Sequence, residues 1–532
     1  MTIPLGKLFQ KTIYYSERSK EFLRSYIASV SKFFIFVRNY ANKKLKNTVK
    51  LYLNMKEIIF NTKYNNKYLY IGGNIVFLHD NFFNSIDDST DKLDNYYARK
   101  FIFLKEKLSK ENKNITYTTN ITPQIIKENI ANLKQLLIEV TDGCNLACEY
   151  CGYGKLYGNY DKRNGKMQSF QQVRILLDFL INEWNSQYNN SYKNNIYIGF
   201  YGGEPLLNFK LIHEVIEYLD SKCTNNIIFQ YNMTTNAMLL DRYMDYLKEK
   251  QVHLLISIDG NKENHSYRIT KTGRNSFDTV YSNILKLKNK YPDYYDKYVN
   301  FNSVLHNRNS SHEISQFGEH FLNKIPRISE LSKVGIAEEK YKEFERMFRA
   351  KFDVNNKKIE INKNTDVESV LNDPDISIFN LFIDSFVSNT YNSLQELFEQ
   401  SDKEIEYFPT GTCLPFQKKM FLTVNGKLLP CEKVGQEYPL GHVDSNSIYI
   451  DYKSISEIYS KLYSELVKSC KKCFTWHNCG QCIFVLKGQE KSMACNTICS
   501  ANRACRYLST NITTAEKYPF IYKKLIDELI NK

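Results

Sequence analysis

No apolar run in this 532-residue chain approaches the roughly 20 residues that a membrane span requires. Among the longest is Phe33-Phe-Ile-Phe-Val37, far short of that length. A signal-peptide pattern is also missing, because Lys7, Lys11, Glu17, Arg18 and Lys20 interrupt the N-terminus. A cytoplasmic protein is therefore expected, with no membrane partner. Lys and Arg do not gather on one element: the formal charge of +14 is spread among Tyr and Asn, unlike the basic stripe of a nucleic-acid binder. Cysteine is almost absent outside two stretches. Of 13, only Cys223 falls outside Cys144–Cys151 and Cys413–Cys505. In a reducing compartment such density argues for metal ligation over disulfides.

The length implies more than one domain, and 42% hydrophobic with 14% aromatic residues supplies ample core. Residues 1–55 read as a basic amphipathic helix, with Leu23, Tyr26, Ile27, Val30 and Phe34 at helical spacing. Strand-like runs follow at 57–60, 68–71 and 74–78, with Gly72-Gly73 as a turn. A charged helix at 96–110 leads into a polar linker at 111–123. From 134 to 336 the chain alternates strand (135–141, 196–201, 227–233, 253–258, 299–305 and a sixth near 329–336) with helix (169–188, 211–222, 240–250, 276–291, 311–325). This pattern predicts parallel strands with right-handed crossovers, and function in the loops after their C-terminal ends. Two helices (338–352 and 376–399) around a polar stretch, 355–366, then break the alternation. The expected domains are an N-terminal α+β module (1–125), an α/β partial parallel (β/α)6 barrel (126–336), a helical bridge or lid (337–405) and a cysteine-rich tail (406–532).

The densest chemistry follows the first barrel strand, Leu136-Leu-Ile-Glu-Val140. Cys144, Cys148 and Cys151 stand at C-x3-C-x2-C spacing in one short loop. Three thiolates on one face of an iron–sulfur cube leave the fourth iron open, whereas closed clusters take four. A zinc knuckle completed by a distant ligand, or three buried thiols, would use the same residues. The loop, with aromatic Tyr150 before its third cysteine, resembles the signature of the radical S-adenosylmethionine (SAM) enzymes. That resemblance implies a [4Fe-4S] cluster whose open iron holds SAM and cleaves it to a 5′-deoxyadenosyl radical. It also implies roles for motifs after the later strands. Gly202-Gly203-Glu204-Pro205 would approach the ligand closely, with Glu204 near the SAM amino group. Met233-Thr-Thr-Asn236 resembles a ribose-contacting run, and Tyr150 would pack near the adenine. Ser257 and Arg268, in Ser257-Ile-Asp259-Gly260 and His265-Ser-Tyr-Arg268, would meet carboxylate and ribose.

The tail carries Cys413, Cys431, Cys470, Cys473, Cys479, Cys482, Cys495, Cys499 and Cys505. Its Cys470-x2-Cys473-x5-Cys479-x2-Cys482 run, after a hairpin-like Met420–Pro430 with Gly426-x4-Cys431, resembles the SPASM extension, which holds two auxiliary [4Fe-4S] clusters. The family's last gap is three residues rather than two. By resemblance Cys413, Cys431 and Cys482 serve the nearer cluster and Cys470, Cys473 and Cys479 the farther one. Cys495, Cys499 and Cys505 compete for the remaining places, and two zinc sites would suit the same spacing. Glu432 stands where sulfatase-maturing relatives carry an aspartate base, a candidate for general-base work. SPASM enzymes mostly modify ribosomally made peptides. The expected activity is hydrogen abstraction and thioether cross-linking of a cysteine-rich precursor peptide, whose leader binds the N-terminal module. The expected electron source is a reductant such as flavodoxin or ferredoxin. Formylglycine formation on a sulfatase, and a non-enzymatic iron–sulfur carrier or zinc scaffold, are the alternatives.

Overall fold

The computed structural model describes residues 57–71, 74–78, 115–191, 194–222, 227–350, 405–409, 413–474, 481–487 and 498–522, with Phe103, Cys479, Cys495 and scattered positions at 376–383 and 524–525. The helix expected over 1–55, the turn at Gly72-Gly73, the polar stretch at 355–366, Cys223 and most of the helices at 96–110 and 376–399 lie outside these residues.

Two compact units divide the chain, residues 1–60 with 67–113, and 61–66 with 114–532. The first contains a three-stranded sheet in the order β1 (Glu57–Asn61), β2 (Lys67–Ile71), β3 (Asn74–Leu78). Its β2 and β3 pair antiparallel from Lys67↔Leu78 to Ile71↔Asn74.

The second unit begins with β4 (Ile115–Tyr117) and α1 (Pro123–Ala131). Thr122 caps α1 by accepting the Ile125 N–H, and Pro123 opens it where a missing N–H costs nothing. The segment expected as a linker thus holds a short strand. Its partner, β11 (Ile405–Tyr407), pairs in parallel from far along the chain, a relation that local composition does not reveal.

Strand and helix then alternate: β5 (Gln135–Thr141), α2 (Phe170–Trp184), β6 (Asn194–Gly202), α3 (Phe209–Asp220), β7 (Ile227–Thr235), α4 (Leu240–Glu249), β8 (His253–Ser257), α5 (Phe277–Lys290), α6 (Pro292–Tyr298), β9 (Val299–Leu305), α7 (Ser311–Phe317), β10 (Arg327–Glu330) and α8 (Tyr341–Met347). β5 to β10 are parallel and lie in chain order. Right-handed crossovers in one direction place every helix on one face, so the sheet curls as a partial barrel. Helix α3 shows why its residues pack there: Leu211, Ile212, Val215, Ile216 and Leu219 form one buried stripe. The sixth strand is shorter and earlier than expected. The last expected barrel helix gives way after Phe317 to a single wider turn over Gly318–Leu322.

The tail is built onto this sheet. β12 (Met420–Leu422) pairs in parallel with β5, Met420↔Leu136 to Leu422↔Ile138. β13 (Lys427–Leu429), β14 (Gly441–Val443) and β15 (Ile448–Tyr449) extend it antiparallel to ten strands. Helices α9 (Tyr452–Cys470), α10 (Ile483–Lys487) and α11 (Ala501–Lys517) complete the described tail. Leu136, Ile138 and Val140 of β5 share one core with Met420, Leu422 and Leu428 of the hairpin and Tyr459, Tyr463 and Leu466 of α9. On the other face Leu137 packs with Phe421 and Leu429, against Tyr201. Among the described residues no helix is long and apolar enough to cross a membrane.

Candidate active site

Because the barrel strands are parallel, their C-terminal ends share one edge, and the loop of Cys144, Cys148 and Cys151 begins there. Thr141, the last residue of β5, turns the chain: its hydroxyl donates to Lys166 O at 2.8 Å and accepts the Gly143 N–H at 3.0 Å. A second segment straps the loop down. Ala147 donates its N–H to Ile269 O at 2.7 Å, and Glu149 to Tyr267 O at 3.1 Å. The run that carries Arg268 is thereby bound to the backbone between the cysteines.

The two glycines at the end of β6 were expected to make room for a ligand. They line the cavity, but what approaches them is the cysteine loop. A Cβ on Gly202, whose φ is +140°, would lie 2.2 Å from Thr141 O, and one on Gly203 would lie 2.1 Å from Gly143 O. Only glycine allows two backbones so close. Glu204 is buried and accepts hydrogen bonds from the Asn236 N–H (2.7 Å), the Thr235 hydroxyl (2.7 Å) and the Leu206 N–H (3.2 Å). Burial nevertheless dominates and raises its carboxyl to about 7. Asn236 turns its side-chain amide to Asn145, 2.7 Å away inside the cysteine loop.

One cavity of about 630 Å³ gathers these pieces. Cys144, Cys148, Cys151, Tyr150, Gly202, Gly203, Glu204, Asn236, Ser257 and Arg268 all line it, and so does Glu432 from the tail. The Glu432 carboxylate is paired with the Lys419 ammonium at 3.0 and 3.3 Å. Burial pushes the Cys144 thiol up to about 11, and burial pushes Cys148 up to about 12 against the opposing pull of Arg268. Thiols held protonated make poor free nucleophiles but suit a metal centre that displaces their protons on binding. Among the described residues no three His, Cys, Asp or Glu side chains converge closely enough for a single metal ion. Three thiols of one short loop lining a cavity of this size are a donor set that suits an iron–sulfur cluster.

The tail cysteines fall into two neighbourhoods. Cys413, Cys431 and Cys482 all act on the buried Tyr459 hydroxyl, and Cys413 and Cys482 on that of Tyr463. Both hydroxyls are buried with no hydrogen-bond partner among the described residues. Orphaned donors facing thiols are what a cluster's sulfur atoms would satisfy, so the residues fit such a group. Burial raises the Tyr117 phenol and Cys470, Cys473 and Cys479 all raise it further, and that hydroxyl donates to Cys470 O at 3.5 Å. Cys499 joins this second group, its N–H lying 3.4 Å from Cys473 Sγ. Cys495 packs against the main core, and Cys505 is half-buried on α11.

Asp259, Glu139, Arg163 and Lys419 also carry the site, although none stands out as a functional residue in the sequence. Asp259 is fully buried and pairs with Arg268. Glu139 is the lone acid in the apolar run of β5 and pairs with Arg163 at 2.8 Å. A single carboxylate inside an apolar strand was the available signal, since burial demands a partner.

Residues 138–319 match the model of the Radical SAM superfamily. An uncharacterized protein of Methanocaldococcus jannaschii is 36% identical over 153 residues, covering 28% of this chain and 48% of that protein. The chain thus spans about half of that relative's length. The cysteine-type anaerobic sulfatase-maturating enzyme of Clostridium novyi is 24% identical over 364 residues, covering 65% of this chain and 86% of that enzyme. The solved structure of native anSMEcpe with bound AdoMet aligns with a TM-score of 0.46 and 19% identity, over 75% of this chain and all (100%) of that one. The barrel is a radical SAM domain, and the family and the relatives it matches are enzymes.

Proposed function

We propose that this radical SAM enzyme is a maturase that modifies a ribosomally made, cysteine-rich precursor peptide by hydrogen abstraction and thioether cross-linking. The observation that carries the reading is the single cavity lined both by the three cysteines of the barrel loop and by Glu432 of the tail. A substrate residue seated there lies between the two. When bound, SAM and a [4Fe-4S] cluster on Cys144, Cys148 and Cys151 supply a hydrogen-abstracting radical, and two auxiliary clusters on the tail cysteines supply an electron acceptor.

The chain's own residues bind, orient and shield. Tyr150, Asn236, Ser257 and Arg268 line the wall against which SAM would lie. The carboxylate of Glu204 is already engaged by three protein donors, so it shapes that wall through Asn236 and the strand ends. Joining a carbon to a thiol sulfur removes one hydrogen atom from the carbon, one proton from the thiol and one electron. Glu432, ion-paired with Lys419 in the cavity wall, would take that proton. Residues 1–125 would receive the leader of the precursor, and a flavodoxin or ferredoxin would supply electrons.

A second reading, oxidation of a cysteine or serine to formylglycine in a sulfatase, is supported by the match to the Clostridium novyi enzyme across 86% of that enzyme's length. The two are separated by anaerobic incubation with SAM, reductant and each of two synthetic peptides. One derives from a sulfatase and one from a cysteine-rich reading frame beside the gene. Loss of two hydrogens together with a thiol's resistance to alkylation supports the thioether reading. An aldehyde on the sulfatase peptide, with the cysteine-rich one unchanged, reverses it.

A further inference from the structure

Asp259 follows β8 beneath the cysteine loop and is fully enclosed, at 0% exposure. Its carboxylate accepts from Arg268 Nε at 3.0 Å and Nη2 at 3.2 Å, from the Val304 N–H at 2.9 Å, and from the Tyr150 hydroxyl. His306, also at 0% exposure, brings Nε2 to 3.8 Å. One carboxylate thus ties together the aromatic residue of the cysteine loop, the arginine of the strap and strand β9.

The strap is fixed from its other side by a directional chain. The Asp259 N–H donates to His265 Nδ1 at 3.3 Å, so the ring proton sits on Nε2, which faces the Ser276 hydroxyl at 3.0 Å. That hydroxyl donates to Arg268 O at 2.7 Å. Burial lowers the His265 ring to about 3, consistent with a neutral imidazole in this chain of bonds. Arg268 thus lines the cavity with Nε and Nη2 already engaged by Asp259.

We propose that Asp259 is a positioning residue for the cosubstrate: it aims the Arg268 guanidinium and the Tyr150 ring at the SAM-facing wall and neutralises Arg268 beside the cysteine loop. The inference rests on the SAM-binding reading of the cavity. Removing the carboxylate charge while keeping its shape would free Arg268 to swing and leave its charge uncompensated beside the cysteine loop.

The test uses Asp259→Asn, Arg268→Gln and the double variant in the full chain, reconstituted anaerobically. Iron content, SAM affinity, the change SAM makes in the electron paramagnetic resonance signal of the reduced protein, and the cluster reduction potential are read. Expected are unchanged iron, a tenfold or greater loss of SAM affinity in Asp259→Asn, a raised potential, and a double variant no weaker than Arg268→Gln. Wild-type SAM affinity and potential in Asp259→Asn, or an effect fully additive with Arg268→Gln, overturns the proposal. If Asp259→Asn loads too little iron, Tyr150→Phe carries the test, since it deletes only the hydroxyl. A several-fold weaker SAM affinity at unchanged iron supports the proposal, and wild-type affinity overturns it. Failure of the wild-type chain to bind SAM would instead defeat the underlying reading.

Discussion

The Val424 N–H donates to the Glu139 carboxylate at 3.0 Å, joining the tail hairpin to the strand that launches the cysteine loop. The other Glu139 oxygen holds Arg163 at 2.8 Å, and that guanidinium lies 4.0 Å over the Tyr153 ring. Together with the β5–β12 pairing, this fixes Cys431 and Glu432 relative to Cys144, Cys148 and Cys151.

Replacing Glu139 by Ala leaves the partly buried Arg163 without its anion. The expected cost is about 2–3 kcal/mol, below that of a fully buried pair because Arg163 stays partly solvated. Denaturant unfolding of the iron-free protein measures it. Arg163→Met together with Glu139→Gln, which removes both charges, should recover most of the loss.

Glu432 and Lys419 concern the proton rather than the radical. In Glu432→Gln, SAM cleavage should continue at near the wild-type rate while modified peptide falls about 10²–10⁴-fold. Liquid chromatography with mass spectrometry, counting 5′-deoxyadenosine and product in one reaction, checks the uncoupling. Equal loss of both would place Glu432 in SAM binding instead.

Glu204 gives stability a pH dependence. Its carboxyl titrates near 7 in the folded chain and near 4.5 when unfolded. Between those values the folded chain holds the extra proton, so stability is fully present below about 4.5 and declines as pH rises through 7. The loss amounts to at most about 3 kcal/mol. Melting of iron-free protein from pH 4.5 to 8 should show this decline in wild type and a flatter profile in Glu204→Gln.

Tyr459 offers a check on the auxiliary site. Its hydroxyl is a buried donor with no partner among the described residues, so Tyr459→Phe should stabilise the iron-free chain by about 1 kcal/mol. After iron and sulfide are loaded the advantage should vanish, because the hydroxyl then finds a sulfur acceptor. Parallel melts of the two forms measure the difference.

Local periodicity made the barrel legible. The strand over 299–305 begins and ends where the alternation places it, and 135–141 does likewise. These strands are bounded by turns that their own residues encode. The parallel seat of β12 on β5 was not legible, because the partners are almost 300 residues apart and nothing in Met420–Leu422 names Leu136. The candidate cofactor residues were readable as motifs, and the structure brings all of them to one cavity. The reason for the paired glycines was not, since Gly202 and Gly203 serve a backbone crossing that exists only once Thr141 and Gly143 are beside them. Asp259 was visible as a residue but silent as a hub, because Tyr150, Arg268 and Val304 reach it from three separate segments.

The central claim is that Cys144, Cys148 and Cys151 hold the centre at which SAM is cleaved. Anaerobically reconstituted protein, given SAM and dithionite, is assayed for 5′-deoxyadenosine beside a variant with all three cysteines changed to Ala. The wild-type chain should yield the nucleoside and the variant none, with about four fewer irons bound to the variant. No nucleoside from the fully loaded wild type, or undiminished formation by the variant, would contradict it.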